Sequence, residues 1–136
     1  MARARGRIGE ADYAVAIRAG DHDLTADEGA ALGGRDAGPA PFELLAASLV
    51  ACTVITLRMY AQRKGWAAGK IEVGVHYIKA DDEPARIERT LTFGPGLDDG
   101  QRARLVEIAE RTPVTLAIRG GLPIATTLLP ATGRAT

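Results

Sequence analysis

Pro41-Phe-Glu-Leu-Leu-Ala-Ala-Ser-Leu-Val-Ala-Cys-Thr-Val-Ile-Thr-Leu-Arg-Met-Tyr-Ala-Gln-Arg-Lys64 is a long apolar run that carries the only cysteine of the sequence, Cys52. Pro41 suits the first position of a helix, because the N–H it lacks would be unpaired there. Arg63 and Lys64 fall in the last turn, where cations meet the negative end of the helix dipole, and Gly65 can take the left-handed cap. Between those ends the run is apolar on nearly every face, which a surface helix is not. The spacing predicts a helix over 41–64 at the centre of the fold or of a dimer. Phe42–Tyr60 has the length of a membrane span, but it contains Glu43, Ser48, Thr53, Thr56 and Arg58. Charges near its ends with hydroxyls between them argue for a helix buried in protein.

The flanks of this helix read as strands. Residues 12–18 alternate, with Tyr13, Val15 and Ile17 on one face and Asp12, Ala14, Ala16 and Arg18 on the other. Gly20-Asp21 supplies a turn, and His22-Asp-Leu-Thr-Ala pairs back as the second arm of a hairpin. Residues 29–40 hold four glycines and Pro39, a loop of the kind that often borders a site. After the helix, residues 71–77 and 87–93 alternate on either side of Asp81-Asp-Glu-Pro84 and form a second, longer hairpin. Arg89 shares the inward face of Ile87, Leu91 and Phe93, so that face is partly open or the arginine has an acidic partner. Asp98 and Gln101 resemble a capping box that opens a second helix, which Pro113 ends. The element at 114–118 is ambiguous, and Leu122–Leu129 is expected as a last strand at a sheet edge because of Pro123.

With 136 residues and 46% hydrophobic content, the expectation is a single α+β domain over 1–136, with 1–10 and 130–136 frayed. Seventeen basic residues balance seventeen acidic ones, so no overall field exists to hold nucleic acid or a membrane surface. One cysteine makes no intrachain disulfide, which suits a reducing, cytoplasmic compartment. The basic N-terminal stretch has no apolar run of the length a secretory signal needs. His22, His76 and Cys52 come singly from separated segments, without the spacing of a metal site, and no metal is expected.

Cys52 shares a stripe with Leu45, Ser48, Thr56, Met59 and Arg63. Free cysteines are commonly buried filler, and small residues on such a stripe let another helix approach closely. A functional sulfur needs a thiolate, and an unperturbed thiol with pKa of about 8.5 is only a few per cent ionised at neutral pH. The dipole field fades after the first turn, so a cation must be delivered from elsewhere, and Arg18, Arg35 and Arg89 are the sources to consider. Glu43 lies nine residues before Cys52, half a helical circumference away and roughly 13 Å along the axis. Within one chain the two cannot touch, and an acid in the first turn serves the helix start in any case.

The run His22-Asp-Leu-Thr-Ala-Asp-Glu28, then Gly33-Gly-Arg-Asp-Ala-Gly-Pro-Ala-Pro-Phe-Glu-Leu-Leu45, Ala51-Cys-Thr53 and Leu57-Arg-Met-Tyr-Ala-Gln-Arg-Lys-Gly-Trp66 resembles the OsmC/Ohr family of osmotically induced and organic hydroperoxide resistance proteins. The likeness is closest to its short OsmC-like branch and continues through Arg86-Ile-Glu-Arg89, residues 97–111 and Gly120-Gly121. It implies an OsmC-like fold, with antiparallel sheets wrapped around a long central helix in an intertwined homodimer. It further implies peroxide reduction by Cys52, assisted by Arg18 and Glu43, with Ser48, Thr56 and Thr112 as substrate-binding candidates. The spacing of Glu43 to Cys52 departs by one residue from the hydroperoxide resistance branch. Where family peroxidases carry a second cysteine before Pro-Val, this chain has Thr112 before Pro113-Val114. A disulfide within one chain is therefore excluded.

Two functions follow. One is a one-cysteine peroxidase acting on organic or inorganic hydroperoxides, with no cofactor and an external thiol or dithiol as reductant. The alternative is a non-catalytic OsmC-like module that binds a small apolar or thiol ligand at the dimer interface.

Overall fold

The computed structural model describes residues 1–10 and 12–131. Strands β1 (Ala4–Ile8), β2 (Val15–Ala19) and β3 (His22–Ala26) form one antiparallel sheet. After a 3-10 turn at Ala30–Leu32 come α1 (Pro41–Lys64), the antiparallel pair β4 (Ile71–Ile78) and β5 (Arg86–Phe93), then α2 (Asp99–Ala109) and α3 (Pro113–Gly120). The chain is thus of the mixed α+β class, with three α-helices and antiparallel sheets among the described residues.

Helix α1 starts at Pro41 and ends at Gly65, whose φ of +70° is open to glycine at little cost. By length and composition it is able to cross a bilayer. One stripe of it, Leu49, Thr53, Leu57 and Ala61, is buried, and the helix packs on β4, α2 and α3. Leu57 and Ala61 join Ala68, Leu97, Leu105 and Ala109 in the core, ringed by Tyr60, Trp66, Ile71, Leu91, Phe93 and Ile108. The opposite face of α1, including Ile55 and Met59, is open.

In the β4–β5 pair Ile71 lies opposite Phe93 and Ile78 opposite Arg86. Alternate residues face the helices, as the period of two requires. Helix α2 opens on the expected capping box: Asp98 Oδ1 accepts the Gln101 N–H at 2.7 Å, and Gln101 Oε1 accepts the Asp98 N–H at 3.0 Å.

Three expectations need correction. The leader expected to fray forms β1, with Ala4 opposite Ala19 and Ile8 opposite Val15. All five of its side chains are exposed, so no apolar alternation announces it. Pro113 does not end α2, which stops at Ala109; it begins α3, with Thr112 as cap, by the same logic that places Pro41. Residues 122–129 form no strand here. They carry no regular secondary structure and are exposed, with Ile124 at 89% and Leu128 at 96%. Of the C-terminal residues expected to fray, 130 and 131 are exposed and 132–136 lie outside the described residues.

The three-stranded sheet makes little contact with the body formed by α1, β4, β5, α2 and α3. What joins it to α1 is the glycine-rich loop, and Asp27 organises that loop. Its Oδ1 accepts the Glu28 N–H at 2.7 Å, and its Oδ2 accepts those of Arg35 at 3.2 Å and Ala37 at 3.1 Å. Gly34 and Gly38 are required here, since a Cβ on either would collide with the carbonyl of Glu28 or Thr25. The Ala37 N–H above all, then those of Glu28 and Arg35 and the Arg35 charge, hold the buried Asp27 carboxyl below the ordinary aspartate range, against the opposing effect of burial.

Candidate functional site

Cys52 stands halfway along α1, partly buried and with a free thiol. Its position is one residue from the buried stripe, at the border of the open face. Ser48, one turn before it, is exposed and donates its hydroxyl to Leu45 O at 2.7 Å, and Thr56, one turn after it, is partly buried. The sulfur is therefore not sealed among aliphatic side chains.

None of the three candidate arginines is held for it by this one chain. Arg18 projects from the exposed face of β2 and pairs with Asp23 at 2.9 Å. Arg35, in the glycine-rich loop, pairs with Asp12 at 2.6 Å. Arg89 turns inward from β5 with its side chain only 12% exposed, and its guanidinium is divided among several acceptors. Nη1 donates to Thr53 Oγ1 at 3.0 Å and Thr115 Oγ1 at 2.9 Å, and Nη2 donates to Ala109 O at 2.8 Å. Glu110 Oε2 lies 3.6 Å from Nη2 and also pairs with Arg119. Of the two outcomes expected for the face around Arg89, the acidic partner is present, but hydroxyls and a helix-end carbonyl do most of the binding.

Glu43 reaches back to its own helix start, where Oε1 accepts the Ala40 N–H at 2.9 Å. That is the half of a capping box that an alanine cap leaves possible. It is exposed and, as the helical spacing requires, remote from Cys52 within the chain. Thr112 is fully buried and caps α3: its Oγ1 lies 2.6 Å from Thr115 Oγ1 and accepts the Thr115 N–H at 3.4 Å. This hydroxyl pair joins Thr112 to the Arg89 cluster and leaves it no open side toward solvent.

Of the expected residues, the structure thus brings Arg89 and Thr112 together and leaves Cys52, Arg18 and Glu43 separate. Arg89, Thr53, Thr112, Thr115, Glu110 and Arg119 meet in one polar cluster within the chain. Thr53, Thr115, Glu110 and Arg119 were not singled out from the sequence. The signal for them was the inward parity of Arg89 on β5, which required partners to exist without saying where. His22 begins β3 and His76 lies in β4, on different sheets.

The sequence model of the family described as OsmC-like protein matches residues 33–127. The organic hydroperoxide resistance protein OhrB of Bacillus subtilis is 29% identical, with 88% of this chain and 91% of that one covered and a TM-score of 0.61. An organic hydroperoxide resistance protein from Legionella pneumophila is 23% identical over 88% and 90% of the two chains, with a TM-score of 0.64. An OsmC-like protein from Mycoplasma pneumoniae, 16% identical over 88% of each chain, shares the fold with a TM-score of 0.75. No curated protein matches the sequence.

Proposed function

The chain belongs to the OsmC-like protein family, and from that premise we propose that it reduces hydroperoxides through Cys52 alone, with an external thiol restoring the sulfur. The observation that carries this reading is the placing of the only cysteine, halfway along α1 at the edge of an open face, where a small oxidant can reach it. The resemblance to hydroperoxide resistance proteins supplies the substrate class.

In the first step the Cys52 thiolate attacks the distal peroxide oxygen and the O–O bond breaks. The proximal oxygen leaves with a proton as alcohol, and the sulfur, oxidised by two electrons, becomes a sulfenic acid. In the second step an external thiol attacks that sulfur, water leaves, and a mixed disulfide forms. The second thiol of a dithiol then closes on its partner and releases the Cys52 thiolate. Cys52 is the only cysteine of the sequence, so no disulfide closes within the chain.

We further propose that the working unit is a cytoplasmic homodimer. Three surfaces without a partner among the described residues support the dimer: the Ile55–Met59 face of α1, the three-stranded sheet with its little contact to the rest of the chain, and the exposed segment after α3, which holds Leu122, Ile124, Leu128 and Leu129. A second chain packed on these surfaces would also bring to the thiol the cation that one chain does not, with Arg18 and Glu43 as the residues expected to assist. Ser48, Thr56 and Thr112 keep their reading as substrate-binding candidates, although the burial of Thr112 favours a capping role.

One observation favours the second reading, a non-catalytic module binding a small apolar or thiol ligand at the dimer interface. Arg18, Arg35 and Arg89 are all engaged with other groups. The two readings separate in a steady-state assay with tert-butyl hydroperoxide and dithiothreitol. Peroxidase function predicts repeated turnover that Cys52→Ser abolishes. Absence of turnover would leave the binding module, and turnover that survives the substitution would remove Cys52 as its source.

A further inference from the structure

Between the inner face of β4–β5 and the three helices lies a cavity of about 530 Å³. Leu45 and Leu49 of α1, Tyr77 of β4, and Ile87 and Leu91 of β5 give it an apolar wall. Arg89, Glu110 and Arg119 line it together, and the ion pairs among them hold them at one place. Cys52 is not among the residues that line it.

The charge at that place does not balance. Glu110 is the one carboxylate among the lining residues, and its Oε2 serves two guanidinium groups, Arg119 closely and Arg89 at 3.6 Å. Arg86 lines the cavity as well, but it has its own acids, Glu83 at 3.7 Å and Glu88 at 3.3 Å. Arg89 is spent largely on hydroxyls and a carbonyl, which satisfy its donors without neutralising it. The Arg89–Glu110–Arg119 group therefore carries one net positive charge beside an apolar hollow of a size that small amphiphiles occupy, whereas Arg86 with its two exposed acids carries one net negative charge.

We infer that this cavity binds an apolar carboxylate, its body along the Leu45–Leu49–Ile87 wall and its head on Arg119. A carboxylate fits better than a phosphate dianion because the Arg89–Glu110–Arg119 group has a single net charge, and because its two oxygens match the guanidinium fork. Arg119 is half-exposed, with Nη1 on the Glu110 carbonyl at 3.1 Å and Nη2 on the Glu110 carboxylate, and such a head would compete with that carboxylate. The site involves neither Cys52 nor the peroxide step, so it stands or falls separately from the peroxidase reading.

The test is displacement of a dansyl-labelled aliphatic carboxylate from the full chain by decanoate, decanol or decyltrimethylammonium. Decanoate is expected to compete best, and equally well against the Cys52→Ser protein. Arg119→Gln should weaken decanoate by about tenfold while leaving decanol unchanged, the size expected for one charge-assisted hydrogen-bonded pair. Glu110→Gln, which removes the competing carboxylate, should tighten decanoate. These opposite signs separate head recognition from mere loss of structure, and circular dichroism checks the fold of each variant. The proposal is overturned if the probe does not bind, as when a segment of a second copy fills the cavity. It is equally overturned if decanol competes as well as decanoate, or if the two variants shift decanoate in the same direction.

Discussion

Thr53 and Cys52 are neighbours on one helix, turned about 100° from each other, and their surroundings differ in kind. Thr53 is fully buried, donates to Leu49 O at 2.6 Å and accepts from Arg89. Its polar cluster draws on α1, β5, α2 and α3 and is complete within one chain. Cys52 faces the border of an open surface, with the candidate cations bound elsewhere. Groups on the inner stripe of α1 serve folding; under the proposed dimer, those on the outer stripe are completed by a second chain.

The largest effect should come from deepening this contrast with side chains of similar size. Leu57→Ala, on the buried stripe, should cost about 2–5 kcal/mol by urea unfolding, because it removes packed surface and leaves a cavity. Met59→Asp, two residues on but on the open face, should leave the helical content intact and shift the protein toward monomer in sedimentation.

Arg89→Gln should come next, at about 2–3 kcal/mol, since Thr53, Thr115 and the Ala109 carbonyl would lose a buried donor. Thr112→Ala removes the α3 cap and should cost about 1–2 kcal/mol, with turnover per folded molecule retained if capping is its role. Glu43→Ala gives up a half cap and a favourable charge in the first turn, a loss of about 0.5–1 kcal/mol. A far larger fall in peroxide turnover than in stability would mark Glu43 as part of a site completed by a second chain.

Acid unfolding probes the other region, the loop between the three-stranded sheet and α1. Because Asp27 holds its proton less tightly folded than unfolded, its contribution is fully present above the ordinary aspartate value near 3.9 and is lost as pH falls through the lower folded value. Asp27→Asn should flatten that acid limb of the stability curve. An unchanged limb would remove Asp27 as its source.

Much of the fold was legible because its signals are local. Pro41 and Gly65 mark the ends of α1, Gly20-Asp21 marks the β2–β3 turn, and Asp98 with Gln101 starts α2. The misses have local causes too. The β1 segment Ala-Arg-Gly-Arg-Ile has no apolar face, and α3 is short and follows a proline that also reads as a stop. The site was legible only in part. Parity turned Arg89 inward, yet Thr115 and Thr53 lie 26 and 36 residues away in sequence, and no pattern along the chain connects them. For Cys52 the sequence named the sulfur but not its surroundings, because the three candidate arginines pair with other groups in the fold.

The reactivity of that sulfur is the central claim, and intact-mass analysis after treating reduced protein with one equivalent of organic hydroperoxide and dimedone tests it most directly. The account predicts a single dimedone adduct on Cys52, which reports the sulfenic acid. An unmodified thiol, still fully titratable after the treatment, would contradict it.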